Sequence, residues 1–194
     1  RHPLETARAF ANIDQLSGGR LIFGAGVGWA AEEFEALGVP YDTRGARLNE
    51  WIEILRSCWT GRPEPRQSEH YDLPGGLLMF PTPAAPPPIL VGGMSKAAVR
   101  RAGRLADGWL AFQNADAVDY STLEERLALM RSAAADEGRS AGRVVVRLTG
   151  PQDSVVRALP GLARVGVDEV IIEVDWGSDD GPDRTLQRMR SSIA

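Results

Sequence analysis

The sequence predicts an α/β fold built on a parallel sheet. Over its 194 residues, short runs rich in Val, Ile and Leu alternate five times with stretches of helical periodicity. Continuous apolar strands are typical of parallel sheets, because helices cover both faces of such sheets. Apolar residues make up 43% of the chain and charged residues 25%, a composition typical of globular proteins. We therefore expect a single domain over residues 1–194.

The strands are predicted from apolar runs bounded by glycine or proline. They cover residues 21–23, 89–91, 108–112, 144–148 and 167–174. The helices are predicted from apolar residues at helical spacing and from capping residues at their starts. They cover residues 4–16, 44–60, 95–105, 121–137, 153–165 and 182–193. The predicted N-caps are Thr43, Ser95, Ser121 (in a capping box with Glu124) and Asp153.

The helix over 44–60 has the clearest amphipathic pattern. Its apolar face consists of Leu48, Trp51, Ile52, Leu55 and Cys58, which recur at helical spacing. The segment 61–88 follows, and its many prolines exclude regular structure over most of its length. A loop insertion of this length is usually a functional lid or a connector.

Charge and residue usage exclude several classes of function. With a net charge of −4, nothing suggests the basic surface of a nucleic-acid-binding protein. The single cysteine excludes an internal disulfide and a cysteine-based zinc site. The sequence contains neither a membrane-spanning apolar run nor a signal-peptide pattern. We expect a cytoplasmic protein with no metal, nucleic-acid or membrane partner.

Two architectures are compatible with the alternation. Five parallel strands suffice for an open doubly wound sheet, whereas a (β/α)8 barrel requires eight strands and about 250 residues. If the chain forms a barrel, roughly the first three units are missing from the sequence.

Two glycine-rich strand ends are the candidate ligand sites. Gly24, Gly26 and Gly28 follow the first strand, and their bare backbone allows a flat ring or a phosphate to approach closely. The G-x-G-x-G spacing differs from the dinucleotide fingerprint, which makes a nicotinamide site improbable. A simple turn without a ligand is the equal alternative.

The second strand end has the sequence Gly92-Gly93-Met94-Ser95, followed by Lys96, the single lysine of the chain. Glycines ahead of a capped helix start expose N–H groups and the positive end of the helix dipole to an anion. This pattern favours a phosphate site over an ordinary turn.

Acid–base candidates are few. His2 lies just before a helix and has the right chemistry for a general acid or base, although a surface position is the simpler interpretation. The pairs Glu32-Glu33 and Asp179-Asp180 are expected on solvated faces, since adjacent helical side chains diverge. Arg44 and Arg47 are able to bind an anion, but such arginines are more often on the surface.

Taken in order, these residues resemble the luciferase-like monooxygenase superfamily of flavin- or deazaflavin-dependent (β/α)8 enzymes. The resemblance covers nearly the whole chain. Its motifs are His2-Pro3, Leu16-Ser17-Gly18-Gly19-Arg20-Leu21, Gly24-x-Gly26-x-Gly28-Trp29, Glu32-Glu33-Phe34, Gly38, Arg44-Gly45, Pro87-Pro88-Ile89, Gly92-Gly93-x-Ser95 and Ala106-Asp107-Gly108-Trp109. The segments GVGW…EEFEALGVP and PPILVGG look most like the coenzyme F420-dependent branch typical of actinobacteria.

The resemblance implies a TIM-type (β/α)8 barrel, represented by about five C-terminal βα units, with the family's first strands absent from this sequence. It implies hydride transfer between ring C5 of coenzyme F420 and a small organic substrate, with an FMN-dependent monooxygenase as the alternative. The cofactor contacts that it implies are Gly26, Val27, Gly28, Gly92, Gly93, Met94, Ser95, Asp107 and Gly108.

His2 and Glu33 are the catalytic candidates. We expect a homo-oligomer, in the simplest case a dimer. A second hypothesis, which assigns no enzymatic activity, is that the chain is a non-catalytic remnant of such a barrel and is stable only as an oligomer.

Overall fold

The structure is a computed structural model and describes residues 1–173 and Gln187. It divides into two compact units, Arg1–Leu90 and Val91–Ala194. The predicted helix over 182–193, except for Gln187, and the pair Asp179-Asp180 lie outside the described residues, as does the last residue of the predicted strand 167–174.

The first unit combines helices, one short strand and a small hairpin. Its elements are α1 (Pro3–Ser17), β1 (Phe23–Ala25), α2 (Ala31–Ala36), α3 (Arg44–Cys58), β2 (Arg66–Gln67) and β3 (Asp72–Leu73). Helix α1 starts where His2 accepts a hydrogen bond from the Leu4 N–H. It ends at Gly18, whose left-handed conformation (φ 68°) closes the last turn.

The core of the first unit forms between α1 and α3. Ala7 and Ala11 of α1 are buried, as are Ile52 and Leu55 of α3. The Trp59 indole donates a hydrogen bond to the Ala7 carbonyl over 3.0 Å, which fixes the end of α3 against α1. The predicted apolar face of α3 is confirmed at Leu48, Ile52, Leu55 and Cys58, whereas Trp51 is half-buried and the unpredicted Ile54 is buried.

The first strand differs from its prediction. It covers Phe23–Ala25 instead of 21–23, and its pairing starts with a hydrogen bond from the Phe23 N–H to the Pro88 carbonyl. Ile22 is 42% exposed, so the apolar run belongs to the loop before the strand. In a strand of three residues, the first residue is set by hydrogen bonding to the neighbouring segment and not by the local apolar pattern.

Helix α3 ends at Cys58, two residues before the predicted end, and Thr43 does not cap it. The Thr43 hydroxyl donates to the Pro40 carbonyl and accepts from Arg47 Nε, so it is not used by the helix N–H groups. Within 61–88, strands β2 and β3 pair antiparallel, with Arg66 opposite Leu73. This hairpin was not predicted, because prolines flank it closely on both sides.

The second unit has regular βα alternation. Strand β4 (Ile89–Gly92) spans the boundary between the units, and the elements that follow are α4 (Lys96–Leu105), β5 (Gly108–Asn114), α5 (Tyr120–Asp136), β6 (Arg143–Thr149), α6 (Gln152–Val165) and β7 (Glu169–Ile172). The five-stranded parallel sheet has the order β1-β4-β5-β6-β7. Its register places Gly108 opposite Arg143 and Val145 opposite Glu169. The predicted parallel α/β fold is confirmed.

The caps of the second unit follow the prediction at one helix only. Ser95 caps α4 by accepting from the Ala98 N–H over 3.2 Å. Asp119, not Ser121, caps α5, and Ser121 donates to the Asp119 carboxylate. Asp153 lies inside the first turn of α6, because the fixed φ of Pro151 (−60°) already places that residue at the N-cap.

Candidate functional site

An open cavity of about 680 Å³ lies in the first unit, at the carboxyl end of β1. All the predicted site residues of this unit line the cavity: His2, Gly26, Val27, Gly28 and Glu33. They come from three parts of the chain, namely the start of α1, the loop after β1 and the first turn of α2. The structure thus brings together every residue that the sequence indicated in this unit.

The glycines after β1 differ in what they contribute. A side chain at Gly26 would meet nothing within 4 Å, so its backbone faces open space. Gly28 has a φ of +84°, and a Cβ there would lie 2.8 Å from the Phe34 ring. Gly28 therefore allows the chain to turn beneath Phe34, whereas Gly26 leaves room for a ligand.

Aromatic side chains form much of the cavity wall. Phe23 and Trp51 lie with ring centroids 5.5 Å apart, and the His2 and Tyr71 rings meet edge to face at 5.6 Å. Aromatic side chains beside bare backbone suit a flat aromatic ligand, which they contact over a large apolar area.

His2 and Glu33 contribute polar groups to the same cavity. His2 Nδ1 accepts the Leu4 N–H over 3.2 Å, so a neutral His2 carries its proton on Nε2. Glu33 lies in the first turn of α2 and is exposed. The imidazole is thus able to donate through Nε2, and the Glu33 carboxylate is able to accept a proton.

Arg44 and Arg47 also line the cavity, where both side chains are half-buried. Arg44 Nη1 donates to the Tyr41 carbonyl over 2.9 Å, and its guanidinium stacks 3.8 Å from the centroid of the Tyr41 ring. Arg47 Nε donates to the Thr43 hydroxyl over 2.9 Å. Both guanidiniums are therefore held in place, in contrast to the exposed position that the sequence favoured.

The second unit contains the predicted phosphate turn. Gly93 has a φ of +121°, its N–H donates to the Leu110 carbonyl over 3.2 Å, and its carbonyl accepts from the Trp109 indole over 2.8 Å. The Met94 carbonyl accepts from Arg126 Nε over 3.0 Å. The turn from Gly92 to Ser95 is thus fixed to β5 and α5 by hydrogen bonds.

Lys96 does not extend freely from this turn. Its ammonium lies 3.1 Å from the Glu125 carboxylate, in a pair in which both side chains are more than half exposed. Glu125 is held in its charged form, since the Lys96 hydrogen bond and the nearby Arg126 charge lower its pKa. The Lys96 ammonium is therefore paired with the Glu125 carboxylate.

Gly108 begins β5 and Asp107 precedes it, whereas Gly92 ends β4 and the rest of the phosphate turn follows. Gly108 is two residues, or about 7 Å of strand rise, from Leu110, the bonding partner of Gly93. The Asp107 carbonyl accepts from the Arg143 N–H and lies where a side chain at Gly142 would be. The Asp107 backbone thus packs closely against the start of β6.

Sequence reasoning missed part of the cavity wall. Tyr71 comes from the Pro-rich segment, where no periodic pattern existed to place it. Arg44 and Arg47 did carry a signal, because they occupy the first turn of a helix that has no acidic residue there. Cations at a helix N-terminus interact unfavourably with the helix dipole, so two arginines there indicate a role other than stabilising the helix.

Within residues 1–173, no three or more His, Cys, Asp or Glu side chains are grouped so as to hold a metal ion. No helix in that part of the chain combines the length and the apolar character needed to cross a membrane.

Comparison with known proteins decides the family. The sequence pattern of the luciferase-like monooxygenases matches residues 1–152. The chain belongs to the luciferase-like monooxygenase family. The partial TIM-type barrel implied by the motifs is confirmed with it.

Two curated relatives of the chain are named as F420-dependent enzymes. The F420-dependent hydroxymycolic acid dehydrogenase of Mycobacterium tuberculosis is 37% identical over 112 residues, which cover 57% of this chain and 31% of that protein. The F420-dependent glucose-6-phosphate dehydrogenase of Nakamurella multipartita is 35% identical over 112 residues, covering 56% and 32%. These matches span about a third of each relative's length.

A solved structure shows the same fold over a longer stretch. An F420-dependent secondary alcohol dehydrogenase, in complex with an F420-acetone adduct, superposes with a TM-score of 0.82. The match covers 99% of this luciferase-like chain and 75% of the dehydrogenase, at 13% identity. At this identity the likeness concerns the fold.

Proposed function

We propose that this luciferase-like chain forms part of an F420-dependent oxidoreductase that transfers a hydride between the deazaflavin and a small organic substrate. The observation that carries the proposal is the cavity after β1, where open glycine backbone and aromatic walls meet. The two F420-dependent relatives support the choice of cofactor.

The cavity in the first unit fits a flat ring system. Gly26 leaves open space where any other residue would place a Cβ, and Val27 continues the same wall. A volume of about 680 Å³ lies in the ordinary range for ligand sites. We assign Gly26, Val27 and Gly28 to the ring of the cofactor.

The turn in the second unit fits a phosphate. The Gly93 N–H is already bonded to β5, and the Ser95 hydroxyl takes the Ala98 N–H. The first N–H groups of α4, those of Lys96 and Ala97, have no partner within the helix and remain as donors for an anion. We assign Gly92, Gly93, Met94 and Ser95 to the phosphate of the cofactor, with Asp107 and Gly108 supporting the strand beside them.

Bound deazaflavin supplies the hydride chemistry, and the protein supplies binding, orientation and proton transfer. His2 is the proposed proton donor through Nε2, and Glu33 is the proposed proton acceptor. Both groups line the cavity that holds the proposed ring site. FMN, the alternative cofactor, has a flat ring system of the same kind.

The first experiment is a fluorescence titration of the purified chain with F420 and, separately, with FMN. We expect saturable binding of F420 and weaker binding of FMN. A Gly26→Val variant should bind F420 at least about tenfold more weakly, because its side chain fills the ring space. Gly75→Val is the matched control, since Gly75 also has ordinary backbone angles and lies in the same unit outside the cavity.

Either of two results would contradict the proposal: no binding of F420 or FMN by the unaltered chain, or equal F420 affinity for Gly26→Val. The homo-oligomer, which stays a prediction, is tested by light scattering with and without F420. An oligomer that binds no cofactor would support the non-catalytic remnant instead.

A further inference from the structure

Three arginines line the first-unit cavity, Arg1, Arg44 and Arg47, and none of them has a role in the proposed ring contacts. Arg44 and Arg47 lie three residues apart on α3, so their side chains leave the same face of the helix. Both line the cavity together with His2 and Gly26. This places two guanidiniums in the cavity that contains the proposed ring and proton-transfer groups.

The charge of these guanidiniums is not balanced within the described residues. The ion pairs found among residues 1–173 use other cations, such as Arg66 with Glu53 and Lys96 with Glu125, and include neither Arg44 nor Arg47. Glu33 is the one acidic residue that lines the described cavity. The cavity therefore has an excess of positive charge.

Both guanidiniums are preorganised, yet most of their N–H groups are available. Arg44 uses Nη1 on the Tyr41 carbonyl, and Arg47 uses Nε on the Thr43 hydroxyl. A guanidinium carries five N–H donors in a planar fork that matches a carboxylate or a phosphate. Because neutral contacts already fix the two side chains, little further ordering is needed when an anion binds.

We propose that Arg44 and Arg47 form an anion-binding pair that selects a substrate with a carboxylate or phosphate group. The inference rests on the proposed function, because it takes the cavity as the place where substrate meets the deazaflavin. The anionic group binds between the guanidiniums, and the rest of the substrate lies toward the ring contacts at Gly26. The same chemistry would also fit the acidic tail of the cofactor, so the test separates these two sources.

The test begins with inorganic phosphate as the probe. Its binding to the 194-residue chain is followed by NMR of the arginine Nε–H signals, at ionic strength held constant with sodium chloride. We expect saturable shifts, and a dissociation constant that rises about tenfold or more in Arg47→Gln because a charge-assisted hydrogen bond is lost. Arg47→Lys keeps the charge but lacks the planar guanidinium fork. Its dissociation constant for phosphate should lie between those of the unaltered chain and Arg47→Gln.

Arg62→Gln is the matched control, since it removes one exposed arginine of the same unit that does not line the cavity. Its phosphate affinity should equal that of the unaltered chain. Circular dichroism melting of every variant excludes unfolding as the cause of weak binding. Absence of saturable phosphate binding, or equal weakening in Arg62→Gln, overturns the anion-binding pair.

A second titration separates substrate from cofactor. F420 and its deazaflavin chromophore without the phosphate and acidic tail are each titrated into the unaltered chain and into Arg47→Gln. Equal affinities for both proteins support a substrate anion at the pair. If Arg47→Gln weakens the binding of F420 but leaves the binding of the chromophore unchanged, the pair binds the cofactor tail. That result overturns the substrate inference. Phosphate binding without any deazaflavin binding would remove the proposed function and leave the anion-binding pair standing.

Discussion

The indole of the fully buried Trp109 donates a hydrogen bond to the carbonyl of Gly93 over 2.8 Å. The Gly93 N–H in turn donates to the Leu110 carbonyl, so β5 holds Gly93 by both its polar backbone groups. The conformation at Gly93 (φ +121°) is one that side chains rarely adopt. The turn after β4 is therefore fixed before any ligand arrives.

Gly93→Val should abolish F420 binding. A Cβ at this position would lie 3.1 Å from the Ala98 Cβ, and the backbone strain should cost about 1–2 kcal/mol. Fluorescence titration measures the affinity, and thermal melting measures the stability. Gly138→Val is the control, because it places the same side chain at a left-handed glycine (φ +66°) in open space. Unchanged F420 affinity in Gly93→Val would refute the phosphate assignment.

Arg126→Gln should weaken F420 binding several-fold while the chain stays folded. The substitution removes the Nε donor that holds the Met94 carbonyl at 3.0 Å, and the turn loses about 1 kcal/mol of ordering. Arg104→Gln is the control, because Arg104 pairs with Glu137 on the surface and does not bond to the turn among the described residues. The idea fails if both variants bind F420 as the unaltered chain does.

Asp119→Ala should lower the melting temperature at neutral pH but not at strongly acidic pH. Hydrogen bonds from the Thr122 backbone and from the Ser121 and Thr122 hydroxyls lower the pKa of Asp119 to about 2. A carboxyl with a depressed pKa stabilises the fold above its unfolded pKa, 3.8, and this stabilisation is lost as the pH falls towards 2. The melting temperatures of the unaltered chain and Asp119→Ala, measured between pH 7 and pH 2, should converge at the acidic end. A difference that stays constant with pH would contradict the prediction.

Cys58 should not react with thiol reagents in the folded protein at pH 8. Burial raises the pKa of the thiol to about 11, against a smaller opposing effect of Arg8. The thiolate is the reactive form, and burial both disfavours the thiolate and keeps the reagent away from the sulfur. Labelling with a chromogenic disulfide should therefore be slow without denaturant and fast in urea. Rapid labelling of the native chain would show that α3 opens locally.

The alternation of strands and helices was predictable because it depends on local patterns. The apolar runs at β4 and β6 and the serine cap at Ser95 each need only a few neighbouring residues to be recognised. The predictions were wrong where a hydrogen-bond partner sets the first residue of a strand or the cap of a helix. Strand β1 starts at the residue that bonds to Pro88, and the cap of α5 is the residue whose carboxylate reaches Thr122.

The sequence by itself determined the family, the parallel α/β fold and the glycine-rich strand ends, since motifs and periodicity are carried by neighbouring residues. Only the tertiary structure decided that His2, Gly26, Arg47 and Tyr71 share one cavity. These residues are separated by long stretches of chain, and packing of α3 against α1 brings their segments together. No local signal encodes such proximity, because it follows from the burial of apolar faces that are far apart in sequence.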